Sequence, residues 1–114
     1  MFKVEAITPS IGAEISGVSL NKDLNSATVK KIYSALIKHQ VIFFRDQDIS
    51  PETHLKLAES LGDIDPGHPV YPHVEGYQSI VLLKNDAHTR PDTNDWHKDL
   101  TFKANPPFAS ILHG

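Results

Sequence analysis

The chain contains no cysteine, which excludes a disulfide framework and any thiolate metal site. A metal bound here has to use histidine, carboxylate or water. Basic residues are not in excess either: 11 Lys and Arg face 14 Asp and Glu, for a formal net charge of −3. That balance argues against a nucleic-acid partner. No apolar run approaches the length of a membrane span, and Met1-Phe2-Lys3-Val4-Glu5 has no signal-peptide apolar core. A G-x-S-x-G elbow, a glycine-rich phosphate loop and an H-E-x-x-H helix are all missing. Repeats, low-complexity tracts and linkers are absent too. What remains is ordinary: 114 residues, 39% hydrophobic and 22% charged, enough for one modest domain with its own core. A soluble, cytoplasmic protein is the expectation.

Along the chain, glycines among β-branched residues over Ile11-Gly12-Ala13-Glu14-Ile15-Ser16-Gly17-Val18 suggest a short strand and a tight turn at Gly17. Asn25 and Ser26 are good helix N-caps. After them Val29, Ile32, Tyr33, Leu36 and Ile37 recur at the spacing of an amphipathic helix. His39 closes this segment as a surface or capping residue. Val41-Ile42-Phe43-Phe44 reads as a strand buried on both faces, ended by the polar Arg45-Asp46-Gln47-Asp48. Ser50-Pro51-Glu52 opens a second helix, with Leu57, Ala58 and Leu61 on its apolar face, His54 facing solvent and Gly62 as its stop.

Three prolines, Pro66, Pro69 and Pro72, exclude helix and central strand over 63–76 and make this an ordered loop. It carries His68, Tyr71 and His73, and either a binding loop or a simple connector fits. Ser79–Leu83 reads as a further buried strand, 84–93 as a polar loop, and Phe108–Gly114 as the start of a strand. A strand that stops without a turn or cap suggests a chain truncated at its C-terminus.

Chemistry concentrates at Trp96-His97-Lys98-Asp99-Leu100-Thr101-Phe102. In a strand, residues two apart share a face, so the His97 imidazole and the Asp99 carboxylate emerge side by side. An imidazole nitrogen and a carboxylate oxygen are two of the three ligands in the facial triad of non-haem Fe(II) oxygenases. Zinc accepts the same donors. A surface histidine beside a surface acid also fits a lone His-x-Asp triplet, so the pair by itself leaves these readings open. Trp96, the one tryptophan, can wall off water. Asp46/Asp48 and Asp63/Asp65 lie in turns and read as solvated.

Four blocks in order narrow the choice: Ile11–Gly17, His39–Gln47, His68–Gly76 and Trp96–Phe102. Together they resemble the N-terminal part of the TauD/TfdA family of Fe(II)- and 2-oxoglutarate-dependent dioxygenases, over essentially the whole chain. The resemblance implies a mixed α+β chain: residues 1–114 as the N-terminal portion of one double-stranded β-helix (jelly roll) domain with flanking helices. It implies His97 and Asp99 as catalytic iron ligands. A distal histidine and a 2-oxoglutarate-binding arginine would lie beyond Gly114; His113 matches no ligand position. The cofactors implied are Fe(II), 2-oxoglutarate as co-substrate and O2.

By the same resemblance His68 and Tyr71 contact the sulfonate in members that act on taurine, and both side chains can donate to a compact anion. Leu100 stands at an apolar wall where such members have valine, and Thr93 where they have a substrate-contacting asparagine. One extra residue precedes His68. The implied reaction hydroxylates taurine or a related alkyl sulfonate, releasing sulfite and an aldehyde. Alkyl sulfates, aryloxyacetates and an inactive fragment lacking the distal ligands remain alternatives. The expected partner is a small anionic organosulfur substrate, with no nucleic acid and no membrane; homo-oligomerisation stays open. With two ligands of three, the 114 residues alone are expected to bind Fe(II) weakly and to be inactive.

Overall fold

The computed structural model describes residues 1–64, 72–82 and 108–114. It is a mixed α/β chain in two compact units, Met1–Leu61 and Gly62–Gly114. Among the described residues there are five short strands and two helices.

In the first unit, β1 (Lys3–Ala6) runs antiparallel to β2 (Ala13–Ser16), with Val4 opposite Ile15 and Ala6 opposite Ala13. The turn between them is held locally. Ile7 N–H donates to the Gly12 carbonyl at 2.9 Å, and Ile11 N–H donates to Thr8 Oγ1 at 3.1 Å. The tight turn expected at Gly17 is present: Gly17 has φ +78°, and a Cβ there would lie 1.5 Å from the Met1 carbonyl oxygen. Only glycine fits this position.

Helix α1 (Ser26–His39) starts where expected, with the Asn25 side chain accepting from Thr28 N–H at 2.8 Å. Lys38 and His39 in its last turn complement the helix dipole. The His39 carbonyl then accepts from Gly12 N–H at 2.9 Å and Val41 N–H at 2.8 Å, across a turn at Gln40 with φ 70°. This junction sets β3 (Ile42–Phe43) parallel to β2, with Ala13 opposite Ile42. Parallel neighbours need such a helical crossover.

Helix α2 (Pro51–Leu61) is capped reciprocally: Ser50 N–H donates to Thr53 Oγ1 at 2.9 Å and Thr53 N–H to Ser50 Oγ at 3.2 Å. The helix ends before Gly62 as expected, although Gly62 does not adopt the left-handed conformation. Among the described residues the buried core is Ala13, Ile15, Leu20, Ile32, Ala35, Ile49 and Leu57.

Several expectations need correction. The buried side of α1 centres on Ile32 and Ala35, leaving Tyr33 43% and Ile37 55% exposed. The stripe read from the sequence is wider than the surface the helix covers. Val41–Phe44 is not buried on both faces: Val41 and Phe43 are exposed, because β3 is the edge of the sheet and pairs on one side only among the described residues. His54 is half-buried rather than solvent-facing.

In the second unit, β4 (His73–Val74) and β5 (Tyr77–Val81) form an antiparallel hairpin turning at Gly76, φ +80°. The end of the 63–76 segment is therefore strand, although the local prolines favoured loop throughout. β5 begins two residues before the expected Ser79 and is half-buried for most of its length. Phe108–Gly114, expected as the start of a strand, is not strand.

Candidate active site

The described residues that lie between the two candidate-site segments in sequence form the β4–β5 hairpin. Leu82 N–H donates to the Pro72 carbonyl at 2.8 Å, extending the ladder past β4 and β5 and clamping together the two ends of the hairpin. Segments 65–71 and 83–107 are joined to the hairpin at Pro72 and Leu82. The attachment points of the chain that carries His68 and Tyr71 and of the chain that carries Thr93, His97, Asp99 and Leu100 thus lie together at the open end of the hairpin, opposite the turn at Gly76. Backbone pairing places those attachment points together, whatever the sequence separation between them.

His68, Tyr71, Thr93, His97, Asp99 and Leu100 themselves, with the Trp96 that precedes the His-x-Asp pair, lie outside the described residues. Their chemistry is nonetheless specific. His97 offers one neutral nitrogen donor and Asp99 one anionic oxygen donor, a set that suits Fe(II) and other divalent first-row metals. With no cysteine in the chain, no softer donor competes. Among the described residues no group of three or more His, Asp or Glu could hold a metal ion, so no rival centre arises there.

One residue that the site reading passed over is fixed by the hairpin. The His73 ring places Nδ1 2.9 Å from the carbonyl oxygen of Val74, at an irregularity in the ladder between His73 and Val74. Bulges of this kind re-aim side chains and recur beside active sites. The signal in the sequence was its position, two residues after Tyr71 in His68-Pro69-Val70-Tyr71-Pro72-His73.

A cleft of about 210 Å³ lies in the first unit, lined by Ile7, Thr8, Ile11, Gly12, Val41 and Phe43. Its lining is apolar apart from Thr8 and includes no charged or metal-ligating side chain. The ion pairs on this unit are exposed: Arg45 Nε lies 3.3 Å from Glu14 Oε2, with the guanidinium over the Phe43 ring at 5.5 Å. The pKa of the Lys3 ammonium is raised above its ordinary value by the hydrogen bond it donates to the Glu5 carboxylate and by that carboxylate's charge. Such exposed pairs contribute little to stability.

Residues 3–114 match the family model described as taurine catabolism dioxygenase TauD, TfdA family. Over 110 residues the chain is 42% identical to an alpha-ketoglutarate-dependent sulfate ester dioxygenase of Pseudomonas putida, covering 96% of this chain and 36% of that protein. It is 40% identical over 113 residues to an alkylsulfatase of Acinetobacter baylyi, covering 98% of this chain and 35% of that protein. The structure is similar to a taurine dioxygenase from Burkholderia xenovorans, with a TM-score of 0.64 and 36% identity over 68% of this chain and 28% of that one. The chain spans about a third of the length of the curated relatives it matches.

Proposed function

Because this chain belongs to the TauD/TfdA family of dioxygenases, we propose that it carries the His97–Asp99 half of an iron site in an Fe(II)- and 2-oxoglutarate-dependent dioxygenase that oxidises an alkyl sulfate ester or alkyl sulfonate. The observation that carries this reading is the 42% identity to a sulfate ester dioxygenase over nearly the whole chain. In the proposal, residues 1–114 are the N-terminal part of one jelly-roll domain. The third iron ligand and the arginine that pairs with the 2-oxoglutarate carboxylate come from outside these residues.

When bound, the iron and 2-oxoglutarate supply O2 activation coupled to decarboxylation of the co-substrate to succinate and CO2. The chain's own residues supply position and selectivity. His97 and Asp99 would hold the metal through one nitrogen and one oxygen. His68 and Tyr71 donate hydrogen bonds to the sulfo group and fix which substrate carbon faces the metal. Leu100 walls the alkyl portion and Trp96 excludes water. Thr93, shorter than the asparagine of taurine-acting members, leaves room for a different amine-side or alkyl-side group. That difference, with the sulfate ester relatives, favours alkyl sulfates over taurine.

The two substrate classes give different sulfur products. Hydroxylation of the carbon bearing a sulfate ester collapses to an aldehyde and sulfate; hydroxylation beside a sulfonate gives an aldehyde and sulfite. The full-length protein incubated with Fe(II), 2-oxoglutarate, O2 and either a short alkyl sulfate or taurine should release sulfate from the former with succinate in equal amount. His97→Ala and Asp99→Ala should abolish both products. Sulfite from taurine at a higher kcat/KM would refute the sulfate ester assignment. Succinate formation unaffected by either substitution would refute the iron-ligand assignment.

A further inference from the structure

The cleft of the first unit lies where the outer face of its sheet changes character. Register fixes which side chains share a face: Ala13, fully buried, stands opposite Ile42, and Glu14 stands opposite Phe43. Side chains alternate along a strand. Ile42 therefore points with Ala13 toward the core, while Val41 and Phe43 lie on the outer face with Glu14. Across β1 and β2 that outer face is polar, carrying Lys3, Glu5, Glu14 and Ser16. At β3 and the β1–β2 turn it is apolar: Ile7, Ile11, Val41 and Phe43 are 40% to 49% exposed and line the cleft of about 210 Å³.

Apolar side chains gathered in a concavity and rimmed by charge, here the Arg45–Glu14 pair, have the anatomy of a contact surface. Strands in parallel pairs such as β2–β3 are ordinarily covered on both faces, and Val41-Ile42-Phe43-Phe44 has apolar side chains for both. The matched relatives supply the occupant. The chain covers 36% of the sulfate ester dioxygenase and 35% of the alkylsulfatase. A further stretch of that length, folded into one domain with this chain, needs an apolar surface on which to bury its own apolar side chains.

We infer that the cleft lined by Ile7, Ile11, Val41 and Phe43 is the docking surface for the part of the domain beyond residue 114. Apolar side chains of that part enter between β3 and the β1–β2 turn, and Arg45 and Glu14 stay at the rim. The identity of the occupant rests on the reading of residues 1–114 as one portion of a longer dioxygenase domain; the division of the sheet into polar and apolar parts does not.

Hydroxyl-radical footprinting read by mass spectrometry compares Phe43 in the 114-residue chain with Phe43 in the full-length protein. Tyr33, 43% exposed on α1 against 41% for Phe43, is the internal reference. Phe43 should be oxidised several-fold more slowly in the full-length protein, relative to Tyr33. Phe43→Ser should lower the Tm of the full-length protein by at least about 6 °C and that of the 114-residue chain by less than about 3 °C.

Equal oxidation of Phe43 in both proteins, or an equally mild Phe43→Ser in both, overturns the inference. Phe43 protected already in the 114-residue chain overturns it too: protection that deepens with concentration assigns the cleft to a second copy, and protection that does not assigns it to residues of this chain. Succinate formation from 2-oxoglutarate separates this docking from the proposed reaction. A full-length protein that turns over with Phe43 unprotected sinks the docking alone, and one with Phe43 protected that never forms succinate sinks the reaction alone.

Discussion

Gln47 offers the most direct test of what holds the first unit together. Its half-buried side chain spans three backbone groups: Oε1 accepts from Leu20 N–H at 2.8 Å, and Nε2 donates to the carbonyls of Val18 at 3.1 Å and Arg45 at 3.2 Å. These bonds tie the exit of β3 to the segment after β2, where Leu20 enters the core at 6% exposure. Each such bond nets about 1 kcal/mol, and water replaces part of what is lost at a half-buried site, so Gln47→Ala should cost about 2 kcal/mol. For a chain of this size that lowers the melting temperature by about 8 °C.

Gln47→Glu sharpens the argument because the side chain keeps its shape. The carboxylate still accepts from Leu20 N–H, yet its second oxygen faces two carbonyls that cannot donate. The folded-state pKa of the new carboxyl is therefore raised. A raised carboxyl binds more protons folded than unfolded, so stability falls as pH rises above the unfolded value of about 4.3. Urea unfolding of the native chain and both variants, followed by circular dichroism at pH 4 and pH 7, measures this. A Gln47→Ala loss under about 0.5 kcal/mol, or a Gln47→Glu variant more stable at pH 7 than at pH 4 relative to native, would refute the reasoning.

The remaining predictions concern glycines and a cap. Gly17→Ala should be costlier than Gly76→Ala in the same unfolding assay. Both positions have positive φ, worth about 1–2 kcal/mol of strain, but the Gly17 Cβ also meets the Met1 backbone whereas nothing lies within 4 Å of the Gly76 position. Removing Met1 and Phe2 should bring the two variants' costs together. Asn25→Ala, which deletes the cap on Thr28 N–H, should destabilise by about 1 kcal/mol, and Asn25→Ser should restore most of it.

Much of the scaffold was legible in the sequence because it is written in local hydrogen bonds. Asn25 before the periodic run, Ser50-Pro51 before the second helix and Gly17 at a turn each satisfy or relieve backbone groups within a few residues. The buried side of α1 was less legible. Val29, Ile32, Tyr33, Leu36 and Ile37 form one stripe by spacing, yet which part is covered depends on the width of the neighbouring elements, and Tyr33 and Ile37 stay exposed. His73 and Val74 became strand against the local proline signal because Val81 and Tyr77 offered a ladder.

By itself the sequence determined the chemical vocabulary: no thiolate, a nitrogen and an oxygen donor two residues apart in His97 and Asp99, hydrogen-bond donors in His68 and Tyr71, and the family match that gives these their proposed roles. Ligand type is a property of side chains, so it is readable without a fold. The tertiary structure decided what depends on pairing between distant segments: β3 beside β2 through the His39 carbonyl, Gln47 as a tie between two chain segments, and Pro72 against Leu82. It also decided the contact of the His73 ring, whose Nδ1 lies 2.9 Å from the Val74 carbonyl oxygen at the ladder irregularity.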